Sequence, residues 1–160
     1  MARETLMIAR PFLAVLILAA ACLALTAPAR ADRCDDLAKQ LTEQIAGLKV
    51  GATRGGEIAM SHPAVTQASL GCSSRNTTNS MTASTDKKKP TDAYYDFIAT
   101  AAALVFTIPK GDTMNGTRRC VSRTNILRGY DIGSRYRKLD IRCTVAKTGV
   151  RITVSREKDQ

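Results

Sequence analysis

His62 is the only imidazole in the chain, so any general base, activated nucleophile or zinc site that needs histidine must be assembled around it. Pro63 follows it, in a segment that reads as a loop. Ser61 is adjacent, but neighbours on extended backbone project to opposite sides, which places the two badly for proton transfer. The expectation is a structural or exposed histidine. The carboxylates Asp35-Asp36 and Asp92/Asp96 are accounted for by helix starts and by i,i+4 spacing. The chain has no G-x-x-x-x-G-K-S/T loop, no strand-linked G-x-G-x-x-G and no calcium-loop pattern. Tyr94-Tyr95 would supply half of an aromatic sugar platform only if both rings were exposed, yet Tyr94 falls on an apolar helical stripe, which leaves Tyr95 as the expected exposed member. No catalytic constellation, cofactor site or metal site is expected.

The arginines give the one functional lead. Residues 32–116 balance nine Lys/Arg against nine Asp/Glu, whereas residues 117–160 hold twelve Lys/Arg against Asp131, Asp140, Glu157 and Asp159. Such asymmetry suggests an anionic partner. Arg118, Arg119, Arg123, Arg128, Arg135, Arg137, Lys138, Arg142, Arg151 and Arg156 all fall in this stretch. Arginine's planar fork suits bidentate contact with phosphate or carboxylate. Arg137, Lys138, Arg142 and Arg151 are the candidate anion-binding residues. Tyr130 and Tyr136 are the only aromatics nearby, too few for the stacking platform of a single-strand binder, so nucleic acid is not the expected partner.

The cysteines are read through the N-terminus. Arg3 and Arg10 precede the uncharged apolar run Phe12–Leu25, and Pro28 then introduces Ala29-Arg30-Ala31, an A-x-A cleavage motif. Residues 1–31 are therefore a predicted signal peptide, cleaved after Ala31, with the periplasm or exterior as destination. Two rivals fit less well. A membrane anchor needs about 20 apolar residues and meets Pro28; a lipoprotein signal ending at Cys22 has its usual Leu displaced to Leu18. Asn76-Thr77-Thr78 and Asn115-Gly116-Thr117 match the N-glycosylation pattern, which matters only in a eukaryotic secretory pathway.

Outside the reducing cytosol, Cys34, Cys72, Cys120 and Cys143 become disulfide candidates. A zinc site fails on spacing, because there is no C-x-x-C pair. Four thiols allow three connectivities, and sequence does not choose among them. If the two halves on either side of Pro109–Gly116 are locally organised, the simplest pairing is Cys34–Cys72 with Cys120–Cys143. The chain-entropy account gives these loops about 4 and about 3.5 kcal/mol.

The elements that must position these residues follow from periodicity. Leu37, Leu41, Ile45 and Leu48 recur at helical spacing, predicting a helix over about 33–48. Lys49–Ala52 and Glu57–Ser61, separated by Thr53-Arg54-Gly55-Gly56, read as a hairpin, with Val65–Cys72 a third strand. Met81–Ser84 reads as a short edge strand, and Asp86–Pro90 as an exposed turn. Tyr94, Phe97, Ile98, Ala101, Leu104, Val105 and Ile108 form an unbroken stripe, so 92–108 is the expected central helix, with Pro109 stopping it.

Lys110–Asn115 reads as a loop or short helical turn, and Thr124–Tyr130 as a strand. The final segments, about 137–146 and 150–156, alternate apolar and polar residues as half-buried strands do. Turning at Thr148-Gly149 and pairing Lys147 with Val150 would align their apolar faces. The expected fold is α+β: two helices packed on an antiparallel sheet that ends in a C-terminal hairpin, disulfide-stapled.

With the leader removed, residues 32–160 suffice for a single small basic domain with its own core. The leading functional expectation is an exported, non-enzymatic domain that meets an anionic envelope component or an acidic protein through a basic sheet face. The alternatives are a small secreted hydrolase or nuclease built from scattered residues, and a structural or inhibitor-type accessory protein.

Overall fold

The computed structural model describes residues 31–73 and 78–156. Residues 1–30 of the leader, Cys22 among them, and Asn76-Thr77 lie outside the described residues. The elements run α1 (Ala31–Gln44), β1 (Lys49–Arg54), β2 (Glu57–Ser61), β3 (Gln67–Gly71), β4 (Ser80–Thr85), α2 (Asp92–Phe106), α3 (Lys110–Ser122), β5 (Asp131–Tyr136), β6 (Leu139–Ala146) and β7 (Gly149–Arg156).

The strands form one antiparallel sheet in the order β1-β2-β3-β4-β7-β6-β5. Its register explains the core. Ile58, Leu70, Met81, Val154 and Ile141 stand opposite one another across five strands. All five are buried. The neighbouring row Met60, Ala68, Ala83, Ile152 and Cys143 is buried as well. Because strand side chains alternate with period two, every one of these residues shares a face. The helices cover that face: α1 packs against β1, α2 over β4 and β7, and α3 over β5 and β6. Each buried Leu, Ile or Val there contributes about 1.5–3 kcal/mol.

Local chemistry sets the ends. Thr91 caps α2, its side chain accepting from the Tyr94 N–H, and Thr107 closes the helix in the left-handed region. Gly55 and Gly56, with φ of 58° and 80°, supply the two positive dihedrals of the tight β1–β2 turn.

Several expectations needed revision. The first helix stops at Gln44, and Ile45 and Leu48 enter the core from the turn beyond it. Strand β4 is the middle strand, not an edge, because the chain returns through α2 and places β7 beside it. A third helix occupies Lys110–Ser122. Its buried positions are Thr113, Gly116, Thr117 and Cys120, at helical spacing but without large apolar side chains. The strand expected at Thr124–Tyr130 begins at Asp131 instead. The last hairpin turns at Lys147-Thr148, since Val145 pairs with Val150 and Ala146 with Gly149. That register differs by two residues from the expected one, so the same side chains still face the core.

Both disulfides join the expected partners. Cys34–Cys72 ties α1 to the end of β3, and Cys120–Cys143 ties α3 to β6, with Cα separations of 5.7 and 6.0 Å.

Candidate ligand-binding face

The face of the sheet opposite the helices carries polar and small side chains. Across it Ala59, Ser69, Thr82, Thr153 and Arg142 stand in one register row, and Ser84, Arg151 and Thr144 in another. Thr82 and Thr153 join hydroxyls at 3.1 Å. Small residues let this face sink between the longer side chains around it. The result is a trough of 830 Å³ running from β1 to β7, lined by Gly51, Ala52, Arg54, Glu57, Gln67, Ser69, Thr82, Ser84, Arg151 and Thr153. Its hydrogen-bonding groups are hydroxyls, one amide, one carboxylate and two guanidinium groups.

The four candidate anion-binding residues separate into two places. Arg142 and Arg151 sit on the open face, on adjacent strands, Arg142 opposite Thr153 and Arg151 opposite Thr144. Arg151 lines the trough, where its Nε donates to Ser84 Oγ at 3.2 Å. Arg142 lies one strand further on, on β6, and is occupied by Asp131 of the edge strand β5. This partner holds the Asp131 carboxyl below the usual carboxylate range, chiefly through the hydrogen bond from Arg142. Arg137 and Lys138 form the β5–β6 turn, and Arg137, itself at φ 54°, pairs with Asp112 of α3 at 3.3 Å.

The wider arginine cluster is dispersed in the same way. Arg118 pairs with Asp92 at 2.7 Å and lies over the Tyr95 ring, 5.0 Å from its centroid. Tyr95 is thereby buried, contrary to the expectation that it would be exposed. Arg135 pairs with Asp140 at 3.1 Å.

His62 is built into the scaffold. Its ring stacks on Phe97 with centroids 4.7 Å apart. Nδ1 accepts the Ala64 backbone N–H at 3.2 Å, which requires the proton on Nε2, and Nε2 donates to the Ala46 carbonyl at 3.1 Å. Both nitrogens are thus engaged by backbone. Among the described residues no group of three or more His, Cys, Asp or Glu is placed to hold a metal ion. No helix among them is long and apolar enough to cross a membrane.

Sequence reasoning missed Arg54, Gln67, Ser69, Thr82 and Ser84 as site residues. The signal was present as alternation: Gln67, Ser69 and Gly71, and then Ser80, Thr82 and Ser84, occupy every second position of their strands. No family model matches the chain, and neither the curated proteins nor the solved structures contain a match to it.

Proposed function

We propose that the protein is an exported, non-enzymatic binding domain that takes an acidic glycan of the cell envelope in the trough of its open sheet face. The trough carries this reading: hydroxyls of Ser69, Thr82, Ser84 and Thr153 and the Gln67 amide suit sugar hydroxyls, and Arg54 and Arg151 suit carboxylate, sulfate or phosphate substituents. The signal peptide read at residues 1–31 and the two disulfides support export. The ligand's charge meets only part of the basic C-terminal third, because Arg137 and Arg142 already hold Asp112 and Asp131.

The test is binding to heparin and to lipopolysaccharide across a salt series. Affinity is expected to fall steeply with salt, and to fall at least tenfold when Arg54 and Arg151 are both replaced by Gln. Binding that is indifferent to that pair of substitutions would remove the trough as the site.

A further inference from the structure

Three large hydrophobic residues are exposed among the described residues: Ile126 at 86 %, Leu127 at 95 % and Tyr130 at 53 %. All three lie in the one turn that joins α3 to β5. A solitary exposed leucine is ordinary, but an adjacent Ile-Leu pair held clear of the molecule is a feature that water disfavours.

The turn is held in shape. Asn125 and Gly129 exchange backbone hydrogen bonds at 3.2 and 2.8 Å. Asn125 Oδ1 accepts from the backbone N–H groups of Leu127 and Arg128 at 3.0 and 2.8 Å. On one side the turn leaves a helix pinned by Cys120–Cys143, and on the other the Tyr130 carbonyl accepts the Val145 N–H at 2.7 Å. Ile126 and Leu127 therefore project from a fixed knuckle.

The charge flanking this knuckle is mainly positive, and the nearest carboxylate in sequence, Asp131, is paired with Arg142. Residues 118–130 contain Arg118, Arg119, Arg123 and Arg128 and no carboxylate. Arg118 is committed to Asp92, while Arg119 and Arg128 are exposed. Two exposed aliphatic side chains on the turn, a tyrosine three residues on and the exposed Arg128 next to Leu127 in sequence match the layers of an anionic bilayer surface. On such a surface the tip would enter the acyl boundary, the tyrosine would sit at headgroup depth, and the Arg128 guanidinium would meet lipid phosphates. A bilayer accepts a convex tip without a complementary pocket, which a protein partner would have to provide.

We infer that the Asn125–Tyr130 turn is a membrane-docking element that inserts Ile126 and Leu127 into an anionic phospholipid surface. It lies apart from the trough, and neither site depends on the other.

Co-sedimentation with vesicles of phosphatidylcholine, and of phosphatidylcholine mixed with phosphatidylglycerol, tests it on the disulfide-bonded chain. Binding is expected only to the mixed vesicles, weakened about fivefold by Arg128→Gln. It is expected to be reduced at least tenfold by Ile126→Ser with Leu127→Ser. The chain has no tryptophan, so Leu127→Trp supplies a single reporter whose emission should shift to the blue on mixed vesicles. Absence of vesicle binding, or unchanged binding in the double serine variant with native circular dichroism, would overturn the inference. Concentration-dependent dimerisation abolished by that variant would overturn it too, assigning the tip to a second copy. Loss of heparin binding in the Arg54/Arg151 variant with vesicle binding retained would separate the two sites.

Discussion

Arg142 on β6 grips Asp131 on β5 with two parallel hydrogen bonds, Nε to Oδ1 at 2.9 Å and Nη2 to Oδ2 at 2.7 Å. Thr144 adds a third, its hydroxyl donating to Oδ1 at 3.2 Å. An arginine that carries its own carboxylate offers an external anion little, so Arg151, with Arg54, rather than Arg142 supplies the open face's charge for a ligand.

The pair also makes an electrostatic prediction. Asp131 is held below its ordinary value in the folded protein, so its contribution is present above that ordinary value and is lost as pH falls through the lowered folded one. Arg142→Gln should therefore bring the acid-unfolding midpoint to higher pH, followed by circular dichroism. Since both groups are exposed, the effect is small and should shrink in high salt. Stability curves of wild type and variant that stay parallel through the acid range would mean that the grip contributes nothing.

Two glycines in α3 should respond to alanine with opposite signs. A Cβ on Gly116 would lie 2.6 Å from Ile141 Cδ1 and 3.2 Å from Tyr136 Cβ, so Gly116→Ala is expected to destabilise by about 1–3 kcal/mol despite better helix propensity. Gly111 has nothing within 4 Å, and Gly111→Ala should stabilise by up to about 1 kcal/mol. Urea midpoints of the two variants check the pair.

Thr113 is fully buried on the same helix, and its Oγ1 has no hydrogen-bond partner. Thr113→Val keeps the shape and removes the stranded hydroxyl, so it should raise stability by about 1 kcal/mol in the same urea experiment. A loss instead would point to a water that satisfies the hydroxyl in solution.

Tyr94 predicts behaviour at the alkaline end. Burial, aided by the neighbouring Tyr95, holds its phenol well above the ordinary range, and its hydroxyl donates to the Ala83 carbonyl at 2.8 Å. A raised value stabilises the fold fully below the ordinary phenol range, and that contribution is lost as pH rises toward the folded value. Tyr94→Phe should cost about 1 kcal/mol near neutrality through the lost hydrogen bond. The gap from wild type should narrow in alkali, where the wild type must keep one more buried phenol protonated than the variant does. Thermal unfolding across pH reads both effects.

The parts of the fold that sequence made legible are those in which burial follows large apolar residues. The stripe on α2 and the alternation of β6 and β7 are of this kind, because Leu, Ile, Val and Phe mark the inward positions directly. Helix α3 was illegible for the converse reason. Its inward face is Thr113, Gly116, Thr117 and Cys120, residues chosen for close approach to the sheet rather than for hydrophobic bulk. Strand β4 was legible as a strand and illegible as the centre, since a central place depends on β7, some seventy residues away. For the trough, the chain shows which residues alternate outward, but only the sheet order shows that Arg54 and Arg151 line one hollow. Charge count misled in part, because the carboxylates that occupy Arg137 and Arg142 lie on other elements.

Neither disulfide crosses from the β1–β4 half of the sheet to the β5–β7 half; only β4 and β7 meet there, side by side. Among the described residues, the single covalent link between the halves is the exposed Lys87–Lys89 stretch and the helix after it. A trypsin-like nick after Lys87 or Lys88 would leave two pieces, each with its own disulfide, held together by a ladder of hydrogen bonds and the packing of α2. Denaturant would then part them as separate chains, and its dilution would let them find each other again, so that the molecule's integrity becomes a matter of concentration.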